Sequence, residues 1–223
     1  MAESITAQQL RDACEQLLCA AETPDDVTVR RIALRAGANV AAVNYHFGSF
    51  EQLVFEVAER VYLRLNAERL SLLAQAVARS SPPDVRALIG ALVGPSIRWS
   101  LDPNSSYRVL RHMTTIAQAS HHPEIFRPMV EDVEHHRSFI PHFRAVAPWL
   151  SDVDIGFRIS CVLGVRSQII RNRHRTETLT DHAIDLGNPE VVLEHVVAAT
   201  AGMFAAPPMP DGNPNSVSRA SRH

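Results

Sequence analysis

Apolar residues recur three and four positions apart through nearly every segment of this 223-residue chain, and that spacing leaves little choice of fold. Leu10, Ala13, Cys14, Leu17, Leu18 and Ala21 form one face of a first helix, with Thr6 and Gln9 as a capping box for its start. A short second helix follows the acidic turn at Pro24-Asp25-Asp26 and carries Val29, Ile32 and Ala33. Gly37 ends it, because a residue without Cβ takes the left-handed turn cheaply. A third helix runs from about Asn39 to Phe47. Ser49 and Gln52 cap a long fourth, with Leu53, Val54, Val57, Ala58, Val61 and Leu65 along one stripe, ending near Ser80-Ser81-Pro82-Pro83. Further helix starts are read at Asp102-Pro103, Ser120 to Pro123, Ser151 to Asp154 and Asn188-Pro189. No stretch sustains a period of two, so the expected fold is all-α, without a sheet.

The composition narrows the class of protein. With 46% hydrophobic residues the chain can bury a substantial core. Its formal charge of -2 excludes a globally basic protein, so any binding to nucleic acid must come from a local patch. All 22 cations are Arg, a bias that fits genomic base composition at least as well as phosphate binding. No apolar run approaches the ~18 residues that would span a bilayer. The N-terminus lacks a basic stretch followed by an apolar one, and Cys14, Cys19 and Cys161 make no disulfide framework. The expectation is a cytoplasmic protein with no membrane partner. There is no G-x-S-x-G elbow, P-loop or dinucleotide fingerprint, so neither an enzyme nor a cofactor is expected.

Residues 28 to 47, TVRRIALRAGANVAAVNYHF, place two short helices around one glycine-containing turn, the layout of a helix-turn-helix. Ile32 and Val43 lock the helices together and the small Ala33 lets them approach. Asn44, Tyr45 and His46 sit near the exposed end of the second helix, while Arg30, Arg31 and Arg35 make the unit locally basic. An ordinary helical hairpin in a core is the plain alternative, though Asn44, Tyr45 and His46 make an odd core face.

Extended to T-V-R-R-I-A-x-x-A-G-A-N-V-A-A-V-N-Y-H-F-G-S-x-E-Q-L, from Thr28 to Leu53, the pattern resembles the TetR family of bacterial transcriptional regulators. The resemblance implies a homodimer whose recognition helices enter successive major grooves of a palindromic double-stranded DNA operator. It further implies a small molecule in the C-terminal region that releases the DNA, with repression as the default. By position, Arg30 and residues 40 to 42 and 44 to 46 then lie at the DNA. Thr28, Arg30, Tyr45 and His46 are expected at phosphates, with Asn39 beside them. Val40, Ala42 and Asn44 are expected at base edges, the apolar pair on thymine methyls and Asn44 on adenine. Two departures stand out: Phe50 occupies a position where the family very often has Lys, and the recognition helix has no Lys or Arg. They favour the rival reading of a helical interaction protein that has lost DNA binding. The domains follow: 1–50 a helix-turn-helix DNA-binding domain, 51–206 a helical effector-binding and dimerisation domain, and 207–223 a disordered tail rich in Pro, Gly, Asn and Ser.

Within residues 51–206, the resemblance assigns the last two long helices, about 152 to 174 and 189 to 205, to dimerisation. Gly156, Ser160 and Gly164 are four apart and leave one face flat, and Val192 and Val196 lie in the apolar run of its neighbour. Packing inside one subunit would explain the same residues. Trp99, Met113, Ile116, Phe126, Met129, Phe139, Phe143 and Val162 are candidate lining for a lipophilic effector, each also explicable as plain core. Arg171, Arg173, His174 and Arg175 suit an anionic head group or, equally, a solvated helix C-terminus. Of eleven histidines, His121-His122 and His135-His136 are paired, and Glu131, His135 and His142 could share a helix face. Solvated surface histidine is the expectation, with no metal, and a metal- or pH-sensing variant is the alternative.

Overall fold

In a computed structural model, which describes residues 5–208, the chain is built of twelve α-helices with no strand among those residues. They are α1 (Ile5–Ala20), α2 (Val29–Ala36), α3 (Ala41–Phe47), α4 (Phe50–Arg79), α5 (Val85–Leu101) and α6 (Tyr107–Ala119). Then come three short helices, α7 (Arg127–Glu131), α8 (Glu134–Arg137) and α9 (Ile140–Val146). The chain closes with α10 (Asp152–Arg171), α11 (Arg173–Leu179) and α12 (Pro189–Ala201).

Several starts are capped as the sequence indicates. The Ser49 hydroxyl accepts from the Gln52 N–H at 3.0 Å. Ser151 and Asp154 form a reciprocal box on α10, and Asn188 accepts from Glu190 ahead of Pro189. Two starts differ. Thr6 already lies inside α1, which includes Ile5, so it is not the cap. Asp102 closes α5 rather than opening a helix. Its backbone N–H is taken by the Arg98 carbonyl and its side chain by the Asn104 N–H, which draws residues 102–106 into a turn before α6. The tail expected from residue 207 lies outside the described residues beyond Pro208.

Two apolar clusters organise the molecule. The N-terminal one joins Leu10, Cys14, Leu18, Ile32, Val43 and Phe47 to Leu53, Val54, Val57 and Val61 of α4, and is closed by Val109, Phe126 and Met129. It therefore extends well past residue 50. The C-terminal one packs α5 against α12 and α10, with Leu88, Leu92, Ile97, Phe139, Phe143, Ile155 and Val196 fully buried. Helix α4 serves both, since Leu73 and Ala76 at its far end belong to the second cluster. At about 1.5 Å per residue, its 30 residues span about 45 Å.

Ion pairs fasten α1 to α4. Arg11 meets Glu56 at 2.7 Å, and Arg60 meets Asp12 at 2.8 Å and Glu15 at 2.7 Å. Glu15 also accepts from Arg64, and from the Ser106 hydroxyl at 2.7 Å. Burial pushes the Glu15 carboxyl up, but hydrogen bonds from Arg60, Arg64 and Ser106 outweigh it and hold the group below its ordinary 4.5. A carboxyl depressed in this way stabilises the fold above its unfolded value, and that contribution disappears as pH falls through the folded value. Thermal melts from pH 7 downward should therefore show stability lost below about pH 4.5. Glu15→Gln should be less stable than the parent at neutral pH and show a shallower acid loss. An unchanged slope would mean that Glu15 contributes nothing to it.

Candidate nucleic-acid interface and cavities

The helix-turn-helix is shaped by its caps. The Thr28 hydroxyl accepts from the Arg31 N–H at 3.3 Å and starts α2. Gly37 ends it with φ 65° and ψ 28°, where a Cβ would be strained. Asn39 Oδ1 accepts from the Ala42 N–H at 2.9 Å, so this side chain turns the chain into α3. Val43 is fully buried and Phe47 nearly so, both against the cluster that holds Ile32. Those two anchors fix which side of α3 faces outward.

That side is Val40, Ala41, Asn44 and Tyr45, all exposed, with Tyr45 at 84%. The structure thus brings Val40, Asn44 and Tyr45 onto one face together with Ala41, which lies in the stretch expected at the DNA but has no base contact assigned to it from the sequence. A period of 3.6 opposite Val43 and Phe47 would have selected it. Ala42 is half-buried and leans on the N-terminal core, and His46 sits at the other edge with Tyr45 against its ring at 4.9 Å. Among the three arginines, Arg31 donates to the Asp26 carbonyl and Arg35 Nε to Gln16 Oε1 at 2.7 Å. Arg30 is exposed and has no polar partner among the described residues. Phe50 is half-buried and packs onto the N-terminal core, where a Lys would reach solvent.

The candidate effector residues separate. Met113 lines a cavity of about 420 Å³ with Tyr62, Tyr107, Leu110, Met129 and Ile170. Trp99 borders a smaller space of about 210 Å³ and gives its indole N–H to Glu68 at 2.8 Å. Phe126 is buried, edge-on to Phe55 at 6.3 Å, and Ile116 packs beside the same cluster. Phe139, Phe143 and Val162 are fully buried in the C-terminal core and reach neither cavity. Arg171, Arg173, His174 and Arg175 lie together with Arg111 around a third cavity of about 470 Å³, at the junction of α10 and α11.

The candidate dimer residues divide as well. Ser160 and Gly164 are exposed and Gly156 half-exposed on the outer face of α10, in one stripe with Val153 and Phe157, which are 82% and 71% exposed. Val192 and Val196 point the other way, into the subunit's own core against α5, in one buried stripe with Leu193, Val197 and Thr200. The outer side of α12 offers Glu194, His195, Ala198 and Ala199.

His121 and His122 are exposed, but His135 is buried and His136 half-buried, contrary to the expected surface placement. The single turn of α8 folds inward, so that His135 Nε2 meets the Tyr62 hydroxyl at 3.0 Å. No three His, Cys, Asp or Glu side chains converge for a metal among the described residues.

An exposed recognition face on an anchored third helix, carried by a larger helical body, defines a helix-turn-helix regulator in its architecture. Residues 18–57 match the profile of bacterial regulatory proteins of the tetR family, and residues 90–203 that of the Tetracyclin repressor-like C-terminal domain. The chain belongs to the TetR family of transcriptional regulators. Its fold is similar to that of a transcriptional regulator from Rhodococcus sp. RHA1, with a TM-score of 0.65 at 16% identity over 92% of this chain and 99% of that one. It is similar also to the fatty acid degradation regulator FadR from Bacillus halodurans, with a TM-score of 0.61 at 14% identity over 91% and 97%. A third likeness is to SmeT in its complex with triclosan, with a TM-score of 0.56 at 19% identity over 93% and 100%. No curated protein matches the chain. No helix among the described residues is long and apolar enough to cross a membrane.

Proposed function

We propose that this chain is a ligand-responsive transcriptional repressor that binds a palindromic operator as a homodimer. The observation that carries the reading is the free face of α3. Val40, Ala41, Asn44 and Tyr45 stand clear of the subunit while Val43 and Phe47 hold the helix rigidly behind them. In this reading Asn44 hydrogen-bonds an adenine edge, and Val40 and Ala41 meet thymine methyls, with Ala42 at the margin. Thr28, Arg30, Asn39, Tyr45 and His46 fix the docking on phosphates. Two-fold pairing through the outer face of α10, centred on Val153, Phe157 and the small residues Gly156, Ser160 and Gly164, puts two such helices on one DNA face. Exposed Val153 and Phe157 in one stripe support that surface. The effector is a lipophilic small molecule held in the cavity beside Met113; SmeT, of similar fold, forms a complex with triclosan.

A mobility-shift titration with DNA flanking the protein's own gene tests this. Binding should fall steeply and log-linearly with added salt as counterions are released at each phosphate contact. The protein should run at twice its chain mass in solution at micromolar concentration. Absence of binding to any neighbouring intergenic DNA would sink the repressor reading and leave an interaction protein of the same fold.

A further inference from the structure

Between the two apolar clusters, α4, α6, α8 and α10 enclose a group of cationic and hydrogen-bonding side chains that neither core explains. Arg69 is 2% exposed. Its Nε donates to the Leu92 carbonyl at 2.8 Å and its Nη1 to Asn66 Oδ1, and no carboxylate pairs with it among the described residues. Arg166 reaches across from α10 and donates from Nη1 to the Tyr107 hydroxyl at 3.3 Å, while its Nε is buried without a partner. His135 is 6% exposed and uses Nε2 on Tyr62. Its Nδ1 and the Nε2 of His136 are buried without partners. Asp132 stands 3.8 Å from that Nδ1, outside hydrogen-bond reach, and Glu68 is engaged by Trp99.

Buried charge is normally paired, and buried polar nitrogens are normally satisfied. Here two guanidinium groups and two neutral imidazoles converge, with one guanidinium N–H and two ring nitrogens left without partners. Their mutual field is felt: burial and then the charge of Arg69 hold His135 down to about 4. Burial, then His135, Arg69 and Arg166, hold His136 at about 3. Such an arrangement lacks a negative partner, and its position says where that partner comes from. Tyr62 and Tyr107, the two phenols bonded to this group, are also walls of the cavity of about 420 Å³. That volume falls in the range of small-molecule sites, roughly 300–1,000 Å³. The rest of the lining sets apolar Leu110, Met113, Met129 and Ile170 beside Thr114, Thr115, Gln118 and the cationic Arg111 and Arg171, while Arg166 and the two histidines stand behind the phenols. His136 also borders a groove that shares Val153, Gly156 and Ser160 with the face assigned above to the second subunit.

We propose that this cavity takes an amphipathic anion, with a single carboxylate or phosphate head group seated on the Tyr62 and Tyr107 hydroxyls, backed by Arg166 and the His135-His136 pair under the charge of Arg69, and with an aliphatic body against Met113 and Met129. This narrows the lipophilic effector of the proposed repressor to one with an acidic end, and to that extent rests on the same reading. The binding itself is measurable without DNA.

Titration calorimetry of the full chain with decanoate, decyl phosphate, decanol and decyltrimethylammonium gives the test. At least one of the two anions should bind saturably, and at least tenfold more tightly than decanol, with the cation weakest. Arg166→Gln should cost the preferred anion at least tenfold in affinity and leave decanol unchanged. Tyr107→Phe, which removes only one hydroxyl and keeps the ring, should reduce anion affinity severalfold and serves if Arg166→Gln does not fold. Equal binding of anion and alcohol, no saturable binding of either anion, or anion affinity untouched in the folded variant would overturn the proposal. Decanoate and decyl phosphate also distinguish the two head groups from one another. A mobility shift run alongside separates the two readings: an anion that binds but leaves the operator complex intact removes the sensing role and keeps the site. Loss of the head-group preference removes the site and leaves DNA binding where it stood.

Discussion

Asn44→Ala is expected to produce the largest loss of operator affinity of any single substitution on the surface of this protein. The side chain is exposed on the free face of α3, and it is the one amide there with the geometry to pair bidentately with adenine. One such contact contributes about 1–3 kcal/mol of base discrimination. The proposed two-fold complex would use it twice, which makes the combined loss roughly 2–6 kcal/mol, or about thirtyfold and upward. The change should be confined to sequences with the preferred base at that position, and the thermal midpoint should stay where it is. Tyr45→Ala, by contrast, should weaken binding to all sequences alike, since a phosphate contact carries no base information. Mobility-shift titrations against the operator and a scrambled duplex separate the two. Equal loss on both duplexes for Asn44→Ala would show that this residue docks rather than reads.

The second large effect is on stability. Phe143 is fully buried and stacked on Phe204, with ring centroids 4.1 Å apart and planes at 11°, and Phe139 lies 6.4 Å away. Phe143→Ala removes a ring from the place where α9 and the end of α12 close over the C-terminal core. Such truncations cost about 3–5 kcal/mol. For a chain of this size, that lowers the thermal midpoint by roughly 6–20 °C. Calorimetry checks it. A variant that melted like the parent yet lost affinity for a bound small molecule would put Phe143 on the wall of a site and not in the core.

The residues that were legible in the sequence are those whose neighbours are local. Ser49 with Gln52, Gly37 after α2, and Val43 locking onto Ile32 are all settled within a few turns of chain, so the helix-turn-helix and its exposed end could be read directly. Ala41 and Ala42 exchanged roles because a one-residue rotation moves a side chain by 100°, and only the burial of Phe47 fixes the angle. Distant contacts were not legible. Phe139 and Met113 look alike in sequence, yet one fills a core and the other borders a cavity, because the start of α9 and the middle of α6 reach different partners. Val192 and Val196 lie in a long apolar run, within which only Glu194 and His195 mark the outer side. His135 was hidden because its partners, Tyr62 and Arg69, arrive from some seventy residues upstream.

The thirty residues of α4 give the molecule a property that neither end has alone. Val54 and Val57 press on the recognition unit, Leu73 and Ala76 on the far core, and buried Arg69 stands between them in one unbroken rod. Whatever shifts that rod at one end must be felt as strain at the other, because a continuous helix resists bending more than its neighbours resist sliding. Severing the chain after residue 50 would therefore yield no detachable reading head. It would leave Leu10, Ile32 and Phe47 facing water, since half the wall that shelters them is the lever itself.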